Sequence, residues 1–285
     1  VFSTTFLLIG TLLIGLSIAV LNVLMPVTIA QKYPQRVGVM TSVYTFSMTL
    51  FSALASGQSA ALADHVGWQK AMQSVSILAV LGMIFWLPAL RNIHKSKTGK
   101  RTGNSVWKAR GAWYLSAFMG LQSLLFYTTL AWVPTILVSH GMSRGQASQL
   151  FGLMQLASLV TSYFVPILAY RFKRTRGIIL SMAVGFLAGL GLLMIPTASV
   201  SLTIVVVVVL GLASNMAFSL AMALFNIKTD TSEQTAEISG MAQAVGYILA
   251  AFGPVGVGYL QQLTGSWNLP LILLLIVVVI LTLAG

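Results

Sequence analysis

The sequence predicts an all-α polytopic membrane protein, and three observations carry that reading. Only 20 of 285 residues are charged, 16 of them Lys or Arg and four Asp or Glu, where a soluble domain would hold about a quarter. Hydrophobic residues make up 57% of the chain and its mean hydropathy is +0.91. These residues gather into nine runs, each about long enough to cross the hydrocarbon core as a helix. A water-soluble chain of this size cannot cover its surface with so few charges. Soluble enzymes, nucleic-acid binders and disordered chains are thereby excluded.

Each run is justified by its lack of charge and by the polar gap that ends it. Run 2–30 is long enough to require tilt, and Lys32 and Arg36 follow it. Run 38–63 ends before Asp64, and run 71–90 lies between Lys70 and Arg91. The longest polar gap, Arg91–Arg110, precedes run 111–138. Run 146–169 follows Arg144 and stops before Arg171, while 178–196 starts just beyond Arg176. Run 201–226 is bounded by Lys228. Run 237–260 opens on Glu237, placed to cap a helix N-terminus, where a negative charge is favoured. Run 268–284 closes the chain without a charge.

A net charge of +12 in a soluble protein would point to nucleic acid. Here its distribution says otherwise, because 14 of the 16 basic residues fall in the odd-numbered gaps. Positive residues collect on the cytoplasmic side, so odd gaps are expected inside, with Val1 outside and Gly285 cytoplasmic in a plasma (inner) membrane. The chain has no Cys, which excludes disulfides and thiolate metal sites. His65, His94 and His140 all fall in polar gaps without a second ligand at metal-binding spacing. Neither a cofactor nor a metal is expected.

The basic gap divides the chain into a three-helix partial bundle (1–90), a linker (91–110) and a six-helix bundle (111–285). Gly57 and Trp68 recur as Gly256 and Trp267, six runs later. Parallel six-helix repeats build one kind of secondary transporter. On that reading the first half lacks its first three helices, and the chain is expected to be N-terminally truncated.

Several stretches resemble the major facilitator superfamily, and within it the cyanate permease and nitroimidazole transporter family. They are Trp132-Val-Pro-Thr-Ile-Leu-Val-Ser-His-Gly141, Gly152-Leu-Met-Gln-Leu-Ala157, Ser239-Gly-Met-Ala-Gln-Ala-Val-Gly-Tyr247 with Gly253-Pro254, and Leu24-Met-Pro26 through Tyr33-Pro34. The resemblance implies helices four to twelve of a twelve-helix bundle. It also implies secondary active transport of a small polar or anionic solute by alternating access, not catalysis. Tyr170-Arg-Phe-Lys-Arg-Thr-Arg176 stands where the superfamily often carries an acidic and basic loop motif, with Tyr170 in place of an Asp. Arg171, Arg174 and Arg176 form its basic cytoplasmic loop.

No Lys, Arg, Asp, Glu or His lies deep in a run, so a solute pathway must be lined by neutral polar groups. Amides facing hydrocarbon are costly, so they should turn toward other helices or a cavity. Large hydrogen-bonding groups near mid-run are Asn22, Tyr44, Gln122, Tyr127, Gln155, Asn215, Gln243 and Tyr247. For each of them, interhelical hydrogen bonding competes with solute contact. Gly253 and Pro254 interrupt run eight and serve as a hinge or as a packing site. Expected partners are a small-molecule solute, membrane lipids near the linker, and a coupling proton or ion, with no nucleic acid. The alternatives are a multidrug-type efflux carrier of the same superfamily or an inactive truncated fragment. An intramembrane enzyme would need a nucleophile and base, or metal ligands, within the runs.

Overall fold

The computed structural model describes residues 4–90, 106–172 and 175–285. Nine α-helices occur among them: α1 (Thr4–Lys32), α2 (Val37–Val66), α3 (Trp68–Leu90), α4 (Arg110–Ser139), α5 (Arg144–Phe172), α6 (Arg176–Leu193), α7 (Val200–Ile227), α8 (Ser232–Thr264) and α9 (Asn268–Ala284). They follow the nine apolar runs in order, and the described residues contain no strand. Among the described residues, seven helices, α1, α2 and α4–α8, are long and apolar enough to cross a membrane. With 17 residues, α9 rises about 26 Å, near the short end of a span. Of the predicted linker, residues 91–105 lie outside the described residues, as does Arg174. The same holds for the side chains of Gly57 and Trp68.

One boundary corrects the sequence reading. Helix α8 starts at Ser232, so Glu237 sits in its second turn and does not cap it. The cap is Thr231, whose hydroxyl oxygen accepts from the Gln234 N–H at 3.2 Å.

Helices α4–α9 close around an apolar core that includes Phe118, Leu137, Phe186, Leu210, Leu220 and Phe225. Lipid tails are as apolar as these side chains, so close van der Waals fit, not water exclusion, must hold spanning helices together. Glycines provide the fit. A Cβ on Gly120 would lie 3.1 Å from Gly246 Cα, where α4 crosses α8. Gly185 and Gly189, four residues apart on α6, face Ala213 and Leu210 of α7. Gly211 of α7 meets the Met154 backbone carbonyl of α5.

Helices α1–α3 join this body along two seams: α1 lies on α8, and α2 lies on α5. Gly38, at the start of α2, abuts Tyr170 near the end of α5. Gly285 abuts Phe118 of α4 and Ile179 of α6. The gaps that hold Arg36, Arg110, Arg171 and Arg176 therefore share one end of the bundle. Trp132 and Trp267 pack at the other end with ring centroids 5.4 Å apart.

Candidate functional site

Asn22 lies in the second half of α1, one turn before Pro26, and is buried against α8. An unpaired amide there would be costly, and the structure satisfies it from two other helices. Tyr44 of α2 donates its hydroxyl to Asn22 Oδ1 at 2.7 Å. Asn22 Nδ2 donates to the Tyr247 hydroxyl of α8 at 3.1 Å. One turn earlier on α8, Gln243 Nε2 donates to the Asn22 backbone carbonyl at 3.0 Å. Gln243 Oε1 is buried with no partner.

An aromatic wall continues from this cluster into α4. Tyr127 meets Tyr247 edge-on at 6.3 Å, and Phe126 touches both Tyr127, at 5.3 Å, and Phe218 of α7, at 6.2 Å. Gln243 and Tyr247 also line a groove of about 700 Å³ between α1 and α8. Its other walls are mostly apolar, among them Ala19, Val23, Leu24 and Ala244. The site thus offers an unclaimed amide oxygen, phenol hydroxyls and ring faces, all uncharged.

A second polar group occupies the α2–α5–α7 junction. Asn215 Nδ2 donates to Thr49 Oγ1 at 2.8 Å and to the Ser158 carbonyl at 3.1 Å. Ser219 donates to Asn215 Oδ1 at 3.4 Å. Gln155 Nε2 reaches Ser52 of α2 at 3.5 Å, and Thr45 donates to the Ser162 carbonyl of α5 at 2.6 Å.

Of the eight residues expected on a pathway, Asn22, Tyr44, Tyr127, Gln243 and Tyr247 converge on the first group. Gln155 and Asn215 belong to the second. Gln122 stands apart: its Nε2 turns to Ser123 Oγ at 2.8 Å and Met119 Sδ at 3.2 Å on its own helix. Thr45, Thr49 and Ser52 were absent from the sequence reading, although Thr41, Thr45 and Thr49 already formed an i, i+4 stripe on α2.

Helix α8 runs unbroken through Gly253 and Pro254. Gly253 packs against Thr128 and Leu124 of α4, and Trp132 Nε1 donates to the Pro254 carbonyl at 2.8 Å. The first is a packing contact and the second a hydrogen bond, each to the neighbouring helix. Arg171 lies exposed with its guanidinium 5.8 Å from the Phe172 ring, and Arg176 is exposed at the start of α6. Among the described residues no group of His, Asp and Glu is arranged to hold a metal.

Similarity to known proteins agrees with this architecture. Residues 1–254 match the Major Facilitator Superfamily. A Bacillus subtilis (strain 168) protein named "Uncharacterized transporter YycB" is 42% identical, covering 99% of this chain and 71% of that protein. The 2-nitroimidazole transporter of Escherichia coli (strain K12) is 34% identical, over 92% of this chain and 67% of its own length. The cyanate transport protein CynX of the same organism is 23% identical, over 92% and 68%. These relatives are named as transporters, not enzymes. Together with nine mostly apolar helices, they establish that the chain is a multi-pass membrane transporter and belongs to the Major Facilitator Superfamily.

Proposed function

We propose that this transporter moves a small polar or anionic solute by alternating access, rocking α1–α3 (within 1–90) against α4–α9 (within 111–285). The observation that carries the proposal is the Asn22–Tyr44–Tyr247–Gln243 cluster. It is built from both parts of the chain and opens on the groove between α1 and α8. A solute bound there would touch both moving bodies, as transporter sites at repeat interfaces do. The site offers aromatic faces and hydrogen-bonding groups without a charge, which favours a planar heterocycle such as the 2-nitroimidazole of one relative over the cyanate of another. A coupling proton or ion, and lipid contact by the basic segment 91–110, belong to the same proposal.

Basic-residue asymmetry supports a plasma (inner) membrane orientation with the Arg36, Arg171 and Arg176 end in the cytoplasm. Because the chain has no Cys, single introduced cysteines test this. Ser266→Cys should react with an impermeant maleimide on intact cells, and Thr175→Cys only after permeabilisation.

The functional test is uptake by the full-length protein in proteoliposomes, comparing 2-nitroimidazole with cyanate. Tyr247→Phe keeps the ring and removes the acceptor for Asn22, so transport efficiency should fall about tenfold, the order expected for one buried hydrogen bond. If Tyr247→Phe and Gln243→Met both transport at the normal rate and affinity, the solute does not bind in this cluster.

A further inference from the structure

Proline in a helix removes the N–H that the carbonyl four residues earlier would accept. In α5, Pro166 leaves the Ser162 carbonyl without its ordinary donor; in α1, Pro26 does the same to the Asn22 carbonyl. All four residues are buried. Each freed carbonyl receives a side chain from across a seam. Thr45 of α2 donates to Ser162 at 2.6 Å, and Gln243 of α8 donates to Asn22 at 3.0 Å. One acceptor belongs to α4–α9 and the other to α1–α3, so each body supplies one freed carbonyl and one donor.

The two contacts also lie at matching depth. Asn22 precedes Lys32, the last residue of α1, by ten positions, and Ser162 precedes Phe172, the last described residue of α5, by ten. That distance is about 15 Å along either helix, near mid-membrane. Pro134 of α4 and Pro254 of α8 differ. Among the described residues no side chain donates to Leu130 or Ala250, the carbonyls freed by Pro134 and Pro254. At Pro254 the indole of Trp132 instead binds the proline's own carbonyl, and both lie within α4–α9.

We propose that Pro166 and Thr45 are positioning residues of the transport cycle. Pro166 opens an acceptor inside α5 that Thr45 clips onto from the other body, and Pro26 with Gln243 forms the matching clip on the α1–α8 seam. This rests on the alternating-access reading above. A hydroxyl has one proton to donate, and Thr45 Oγ1 has three acceptors within reach. They are Ser162 O at 2.6 Å and, on its own helix, Thr41 O at 3.0 Å and Ser42 O at 3.3 Å. When the bodies part, the proton swings back to Thr41 and the donor stays satisfied. The Ser162 carbonyl, lacking a helical donor, then takes water from the opening pathway. The clip can therefore break without stranding a buried group, whereas an ordinary helix carbonyl would have no need of it.

The test uses the full-length protein with spin labels on single cysteines at the ends of α2 and α5, with and without a transported solute. Thr45→Val keeps the shape and deletes the hydroxyl. It should shift the population away from the closed seam about fivefold, the order of one neutral hydrogen bond, while Thr45→Ser should behave as wild type. Pro166→Ala gives Ser162 back its helical donor. In that background Thr45→Val should have little further effect. If Thr45→Val leaves the populations unchanged, or shifts them equally in both backgrounds, the clip is refuted. If the wild type never shows two label distances under any condition, it is the alternating-access reading that fails, and the clip fails with it.

Discussion

The interior of α4–α9 and the seams that join it to α1–α3 are held together by different chemistry. Within α4–α9 the buried residues are largely apolar, and glycines bring helices to backbone contact at Gly120–Gly246 and Gly211–Met154. In α1–α3 the buried apolar side chains among those described are Pro26, Ile29, Ala53 and Ala71, while Asn22, Thr41, Ser42 and Thr45 are buried polar groups. Among the described residues, Tyr44 is the single partly buried hydrophobic of α1–α3 that packs on the apolar core. A close-fitted apolar contact loses about a quarter to a half of its attraction within an ångström of separation. A hydrogen bond can be exchanged for another partner or for water. The interior is suited to move as one body, and the seams are suited to open.

That contrast can be broken by mutation. The largest effect is expected at Phe186, fully buried in the core: Phe186→Ala should destabilise the protein by about 3–5 kcal/mol, read as thermal unfolding in detergent. Gly211→Ala comes next. Its new methyl would meet the Met154 backbone, which cannot swing aside. A cost of about 1–3 kcal/mol is expected, despite alanine's better helix propensity. On the seam, Asn215→Ala removes the bonds to Thr49 and Ser158. It should cost about 1 kcal/mol, at about 0.6 kcal/mol for each interhelical hydrogen bond in a membrane, while changing transport kinetics more than unfolding. The smallest effect belongs to Gly240→Ala, whose Cβ would sit 3.8 Å from Val23 in ordinary contact. Its unfolding temperature should stay within the scatter of neutral substitutions, about 0.5 kcal/mol. Equal costs at Gly211 and Gly240 would remove the distinction between interior and seam.

Much of the fold was legible in advance because the bilayer imposes one period and one length on every span. Runs such as 111–138 and 268–284 could be bounded by where charge begins, and the helices end within a few residues of those bounds. Glu237 misled because the head of α8 is polar. Ser232–Ala236 carry no hydrophobic signal, and the start of the helix is set by the Thr231 hydroxyl instead. The candidate site was legible only in part. Asn22, Tyr44, Gln243 and Tyr247 stood out as large polar groups in apolar surroundings. Thr45, Thr49 and Ser52 did not, since a hydroxyl in a membrane helix can satisfy itself on the preceding turn, as Thr28 does with Leu24.

The amino-acid sequence alone determined that this chain is a bundle of spanning helices and, to within about five residues, where each one starts and stops. Charge and hydropathy are local properties, and water and lipid sort them residue by residue. The sequence also supplied the prolines and amides, but not their pairing. That Gln243 meets the Asn22 carbonyl 221 positions away, and that Gln122 turns to its own helix instead, depends on how the helices are rotated and how closely they pack. Helix rotation is decided by steric fit at glycines such as Gly120 and Gly246, a property of two surfaces together that neither stretch of sequence contains by itself.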